Sequence, residues 1–153
     1  MSVSYFGVNL QKRINMGRLL AIDYGKKRTG IAVSDPLKLI ANGLTTIPTI
    51  LLFDFLKEYI DKEDVEMIIV GYAKQTNGED SENMTRIVPF VNRFKKIYKT
   101  IPIEYYDERY TSVLAHQVIL ESGIRKKKRE NNKELIDKIS ATILLEDYMS
   151  RKQ

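Results

Sequence analysis

The sequence predicts one α/β domain built on a mixed sheet of five strands, with helices on both faces. A tight turn containing Gly25 joins two apolar runs, which indicates an antiparallel hairpin. The run EMIIVG is short, nearly all apolar and ends in glycine, as is typical of a strand that helices cover on both faces. Helices and strands alternate after it, so consecutive elements are expected to be neighbours around one sheet.

The elements follow in the order β-β-β-α-β-α-β-α-α. The strands are expected over residues 18–24, 28–34, 40–47, 66–71 and 101–108. Periodic apolar residues and capping signals predict helices over residues 50–62, from a cap at Ser81 to Tyr98 with Pro89 inside, from a cap at Thr111 or Ser112 to Glu121, and over residues 131–150. The three consecutive strands form a meander, and the later strands, each reached through a helix, are expected to be parallel.

The length and composition indicate a single soluble domain. The chain has 153 residues and no apolar run long enough to cross a bilayer. The first fifteen residues lack the features of a signal peptide and show no clear period, so we expect a poorly ordered extension over 1–15 and one domain over 16–153. A cytoplasmic location without a membrane partner is the corresponding expectation.

Several chemistries are excluded or disfavoured by residue content. The chain has no cysteine, which excludes disulfides, thiolate zinc sites and thiol catalysis. His116 is the only histidine, which argues against a histidine-centred triad or metal site. The turn GKKRTG lacks the spacing of a phosphate-binding Walker loop, and there is no dinucleotide fingerprint or nucleophile elbow.

The positive charge is concentrated in one stretch. The formal net charge is +5, and RKKKRENNK, residues 125–133, carries six basic residues and one acid, so the rest of the chain is neutral. A local cationic patch suits an anionic partner such as a polyphosphate backbone. A solvated surface loop is the alternative interpretation of the same stretch.

Three acidic residues lie at positions where burying a carboxylate costs free energy. Asp23 ends a strand that its neighbours make central, and Glu108 ends another strand. Side-chain alternation sends Asp107 to the face opposite Glu108, so only one of these two acids can share a cleft with Asp23. Asp137 lies within the apolar arc of the last helix, since Ala141 and other apolar residues follow it at helical spacing.

Each acid alone has an ordinary explanation. Asp23 could cap the turn, Glu108 could pair with Arg109, and Asp137 could pair with Lys138 or bond to a backbone group. Converging carboxylates repel one another, however, and a divalent cation is the usual remedy. Two Mg²⁺ or Mn²⁺ ions about 4 Å apart would serve phosphodiester cleavage by activating water and stabilising the leaving oxygen.

Four stretches resemble the motifs of the YqgF (RuvX) family, in the family's order. They are AIDYGKKRTGIAVSD, IIVG with a glycine-containing loop after it, DERYTSVLA and IDKISATILLEDY. The resemblance implies a ribonuclease H-like fold and an acidic metal site, and it carries the family's three acids onto Asp23, Glu108 and Asp137. Tyr72 and Ala73 stand where the family usually has Leu-Pro, and Ser140 replaces one of two helix alanines, which leaves every carboxylate in place.

Members of that family are described as Holliday junction resolvases and as pre-16S rRNA nucleases. The resemblance therefore implies a metal-dependent nuclease acting on structured RNA or branched DNA, with Asp23, Glu108 and Asp137 as catalytic metal ligands. The expected contacts to nucleic acid are basic residues, namely Lys26, Lys27, Arg28, Arg109, Arg125, Lys126, Lys127, Lys128 and Arg129. For the two arginines nearest the acids, a second role is equally compatible with the sequence. In that role Arg28 neutralises Asp23 and Arg109 neutralises Glu108, and neither contacts phosphate.

Other functions remain open from the sequence. A non-catalytic factor that binds nucleic acid or assists ribosome assembly would need the basic stretch but not the acids. A phosphotransferase is the third candidate, because sugar kinases and actin-like ATPases share this fold, although the chain is short for their two-domain clamp. The sequence is compatible with a monomer or a homodimer.

Overall fold

The computed structural model of the protein describes residues 17–72, 82–107 and 133–152. Five strands lie within these ranges: β1 (Arg18–Asp23), β2 (Arg28–Ser34), β3 (Ala41–Pro48), β4 (Val65–Tyr72) and β5 (Ile103–Asp107). A 3₁₀ turn (Thr49–Leu51) precedes the first of three helices: α1 (Leu52–Lys62), α2 (Met84–Ile97) and α3 (Lys133–Lys152). The predicted extension over 1–15, the cap at Ser81 and the helix expected from Thr111 or Ser112 to Glu121 lie outside the described residues.

The strands form one mixed sheet in the order β3-β2-β1-β4-β5. β1, β2 and β3 form the antiparallel meander, while β1, β4 and β5 run parallel. Both parts of the predicted sheet are therefore confirmed. β1 is the central strand, and its residues Leu20, Ala21 and Ile22 are fully buried.

Helices cover both faces of the sheet, as predicted. On one face Leu20 and Ile22 of β1 belong to a core with residues of α1 and α2, including Leu56 and Phe94. On the other face Ala21 lies in a second core with residues of α3, among them Ala141, Leu144 and Leu145. Successive residues of a strand point to opposite faces, so β1 supplies both cores.

The starts of α2 and β5 differ from the sequence-based prediction, and β5 begins at Ile103 instead of residue 101. Asn83 occupies the position before the first helical residue of α2 but makes no side-chain cap there. Its amide instead donates a hydrogen bond to the carbonyl oxygen of Tyr24 at 2.6 Å. Pro89 lies within α2, and the helix continues to Ile97.

No helix in the described part of the chain is long and apolar enough to cross a membrane.

Candidate functional site

Asp23 lies at the carboxyl end of the central strand, on the face that α3 covers. Side chains of a strand alternate between its two faces. Leu19 and Ala21 pack against α3, so the side chain of Asp23, two residues further on, points to the same face. Its neighbours across the sheet are Gly30 of β2 and Gly71 of β4. Both neighbours are glycines, so neither adds a side chain next to this half-buried carboxylate.

The backbone of α3 approaches the sheet at this row. A Cβ atom added to Gly30 would lie 2.2 Å from the carbonyl oxygen of Asp137, so only glycine allows this approach. Since Gly30 is paired with Asp23, α3 brings the backbone of Asp137 against the strand next to Asp23. The fold therefore gathers two acids that are distant in sequence.

An ion pair joins Asp137 to Arg28. The Nε atom of Arg28 lies 3.1 Å from Oδ2 of Asp137, and the two side chains are 34% and 25% exposed. The sequence had offered Asp23 as the acid for Arg28, and Lys138 or the backbone as the partner of Asp137. It missed the pair that forms, because the two residues are 109 positions apart in the chain.

The turn between β1 and β2 is fixed from two sides. Gly25 is required within it, because a Cβ atom there would lie 2.2 Å from the carbonyl oxygen of Arg28. The hydroxyl of Thr49 donates a hydrogen bond to the carbonyl oxygen of Gly25 at 2.7 Å, and Asn83 holds that of Tyr24. These two hydrogen bonds thus hold the backbone that directly follows Asp23.

Lys26 and Lys27 lie on this turn and are solvent-exposed. They follow Asp23 within four residues, at the same end of β1. A polyanion that approached Asp23 would therefore encounter positive charge at the edge of the site.

Asp107, the alternative to Glu108, lies on the other face of the sheet from Asp23. Tyr106 is paired with Gly71, shares the row of Asp23 and packs against the α3 core. Alternation then turns Asp107 toward the face of α1 and α2. Glu108, Arg109 and the basic residues 125–129 lie outside the described residues.

Tyr106 ties β5 to the carboxyl-terminal half of α3. Its hydroxyl donates a hydrogen bond to Asp147, and its ring meets that of Tyr148 edge-on at 5.8 Å. Burial, together with the hydrogen bond to Asp147, raises the pKa of Tyr106 to about 12. Its neighbour in the chain, Tyr105, is 38% exposed.

The donor set that is present suits a hard divalent cation. Asp23 and Asp137 offer carboxylate oxygens, which are the ligands that Mg²⁺ and Mn²⁺ favour. Over residues 17–72, 82–107 and 133–152, no group of three acidic, histidine or cysteine side chains is arranged to hold a metal ion. The third predicted acid, Glu108, is not among those residues.

Known proteins resemble this chain over most of its length. A protein from Phocaeicola vulgatus named "Putative pre-16S rRNA nuclease" is 59% identical over 138 residues, covering 90% of this chain and 99% of its own. One of the same name from Porphyromonas gingivalis is 52% identical over 134 residues, covering 88% and 96%.

A solved structure shares the fold at low sequence identity. The yeast mitochondrial Holliday junction resolvase Ydc2 superposes with a TM-score of 0.53 over 93% of this chain and 84% of its own, at 11% identity. This likeness supports the ribonuclease H-like architecture that the order and direction of the strands already indicate.

The model of one protein family matches residues 17–151, which include the whole sheet, Asp23 and all but the last residue of α3. That family is described as RuvX, Holliday junction resolvase. With this match and relatives above half identity over nine-tenths of the chain, the protein belongs to the RuvX Holliday junction resolvase family.

Proposed function

We propose that the protein is a divalent-metal-dependent nuclease that hydrolyses phosphodiester bonds in structured nucleic acid, and that its substrate is the 5′ end of pre-16S rRNA. One observation carries the catalytic part. Asp23 ends the central strand between Gly30 and Gly71, and the backbone of Asp137 lies against Gly30. The choice of rRNA rests on the names of the similar bacterial proteins.

Asp23 and Asp137 would hold Mg²⁺ or Mn²⁺, together with Glu108. The position of Asp107 on the opposite face favours Glu108 as the third ligand. When bound, the metal ions supply Lewis-acid activation of the scissile phosphate and of the attacking water.

Arg28 orients Asp137 through their ion pair and can also hold a phosphate oxygen, because a guanidinium presents several donors in one plane. Lys26 and Lys27 at the turn would contact the backbone of the substrate next to the scissile bond. Arg109 and the basic residues 125–129 are further proposed contacts to phosphate.

A cleavage assay tests the nuclease. Asp23→Asn and Asp137→Asn keep the size of each side chain but remove the charge that holds the metal. With Mn²⁺ and an RNA that carries the precursor 5′ extension, each variant should cut at least about a hundredfold more slowly than the wild type. Asp61→Asn, an exposed acid on α1, is the matched control and should retain full activity.

Equal cleavage by the wild type and both site variants would disprove the mechanism. Cleavage of a four-way DNA junction in preference to the RNA would retain the nuclease and change the substrate. A symmetric junction also needs two active sites, so that outcome would require a homodimer in solution, which sedimentation would detect. A protein that processes rRNA would act in the cytoplasm, and a monomer with one active site is sufficient for that reaction.

A non-catalytic factor that binds nucleic acid is the second candidate. The ion pair between Arg28 and Asp137 favours it, because a cation of the chain itself already neutralises one proposed metal ligand. This function predicts that Asp23→Asn and Asp137→Asn bind RNA as tightly as the wild type, and that no divalent metal produces cleavage.

A further inference from the structure

A cavity of about 290 Å³ lies between the β1–β2 turn, the 3₁₀ turn, α1 and α2. We propose that it binds one unpaired nucleotide of the same nucleic-acid strand that reaches Asp23. The inference rests on the proposed function for the identity of that strand. The cavity lies on the opposite face of the sheet from Asp23 and is separate from the acidic site.

The lining of the cavity combines aromatic rings with positive charge. Tyr24, Phe53 and Phe90 supply rings, while Arg86 and Arg93 supply guanidinium groups, and the lining residues that the structure describes include no acid. Bases stack on aromatic rings whatever their sequence, and guanidinium groups bind phosphate. This combination matches one nucleotide better than it matches an uncharged ligand.

The two arginines are placed to receive an anion. The guanidinium carbon of Arg93 lies 4.0 Å from the centroid of the Phe53 ring, so its cation is already stacked on an aromatic wall. Arg86 has Glu82 as its ion-pair partner at 3.8 Å, but that glutamate is 87% exposed, so the pair is weak and easily exchanged.

The aromatic walls are packed together. Tyr24 and Phe53 each contact Phe90, with ring centroids 5.5 and 5.3 Å apart. The carbonyl oxygen of Tyr24 is held by the amide of Asn83 on α2. The cavity is therefore a formed site, and one of its walls, Tyr24, belongs to the turn that follows the strand of Asp23.

The cavity lies next to the end of β1 that carries Asp23, because Tyr24 lines it. Tyr24 follows Asp23 directly, so their Cα atoms are about 3.8 Å apart, and alternation sends the two side chains to opposite faces. Tyr24 accordingly packs with the core of α1 and α2. A strand that crosses the end of β1 can therefore occupy both sites within a few nucleotides.

Binding measured without divalent metal tests the cavity independently of hydrolysis. The probes are an RNA hairpin with a tail of about six unpaired nucleotides and the same hairpin with a blunt end. The double variant Arg86→Gln/Arg93→Gln should bind the tailed hairpin roughly ten- to hundredfold more weakly than the wild type, with little change for the blunt hairpin. The matched control Lys95→Gln/Lys99→Gln removes the same charge from exposed residues outside the lining.

A second measurement locates the tail directly. A 4-thiouridine in the tail, activated by light, should cross-link to Tyr24, Phe53 or Phe90 in the wild-type protein. The proposal would be overturned if the cavity variant and the lysine control lost the same binding affinity for the tailed hairpin. It would also be overturned if the cavity variant lost as much affinity for the blunt hairpin as for the tailed one, or if cross-links formed only in other segments of the chain. If Asp23→Asn left cleavage intact while tail-dependent binding persisted, the proposed metal-binding role of Asp23 would be disproved and the cavity retained.

Discussion

At the scale of single residues, the ion pair between Arg28 and Asp137 connects the fold to the proposed chemistry. Both side chains are partly exposed, so solvent screens their attraction and the pair contributes little to folding. A weak ion pair is easily broken, so Asp137 can bind a metal ion while Arg28 binds a phosphate of the substrate.

Replacing Arg28 should therefore affect binding more than stability. We expect Arg28→Gln to lower the free energy of unfolding by less than about 1 kcal/mol in urea, and to weaken RNA binding measurably. Arg18→Gln is the matched control, because Arg18 forms a similar 3.3 Å pair with Glu63 at the other end of β1. A destabilisation beyond about 3 kcal/mol would show that the Arg28 pair is structural instead.

The raised pKa of Tyr106 predicts that the folded protein loses stability as the pH becomes alkaline. Its pKa is raised to about 12 in the folded protein, from 10.0, so folding favours the neutral phenol. That contribution is fully present below pH 10 and is lost as the pH rises from about 10 to 12. Urea unfolding of Tyr106→Phe should show a shallower decline over this interval than the wild type, and parallel curves would contradict the assignment.

At the scale of elements, the packing of α3 on β2 positions the site. Gly30 allows the helix backbone to touch the strand, and the hydroxyl of Thr46 on β3 donates to the carbonyl oxygen of Glu134 at 2.6 Å. The amino-terminal part of α3 is thereby tied to two strands. Any change that lifts this end of the helix should also displace Asp137 from Asp23.

Substituting Gly30 tests this packing. In Gly30→Ala the new methyl group would meet a backbone oxygen, and we expect a loss of about 2–3 kcal/mol in the free energy of unfolding. Gly43→Ala is the control, because the atoms nearest its Cβ are side-chain atoms, Cγ of Lys138 at 2.8 Å and Oγ1 of Thr142 at 2.9 Å, and no backbone atom. If the two variants lost equal stability, the close approach at Gly30 would not be a backbone constraint.

At the scale of the whole molecule, the excess of positive charge comes from the stretch 125–133. The formal net charge of +5 equals the charge of that stretch, so the remainder of the chain is balanced. A balanced chain with one cationic stretch should bind nucleic acid through that stretch, with a steep dependence on salt.

Neutralising the stretch should flatten the dependence on salt. Replacing Arg125, Lys126, Lys127, Lys128 and Arg129 with glutamine should make the slope of log K against log salt less steep by up to about 3.5 for single-stranded RNA. The control replaces five exposed lysines of the α1 and α2 regions, namely Lys57, Lys62, Lys95, Lys96 and Lys99. An equal change in both variants would mean that net charge alone governs binding.

Much of the fold was predictable because it is encoded locally. Apolar runs, glycine turns and helical spacing identified five strands and the helices between them, and the predicted second strand, 28–34, agrees with the structure at both ends. The start of α2 was less predictable, because Asn83 uses its side chain to hold Tyr24 across the fold. That choice depends on a neighbour 59 residues away.

The order of the elements, the type of sheet and the acids at positions where burial is costly can all be predicted from the amino-acid sequence. The packing of the folded chain is needed to learn that Asp137 lies over Gly30, that Arg28 is its ion-pair partner and that Tyr24 and two arginines line one cavity. The difference arises from the distance along the chain over which each interaction acts. Periodicity and turn chemistry act over a few residues, whereas these contacts depend on which helix packs against which strand, and in what register.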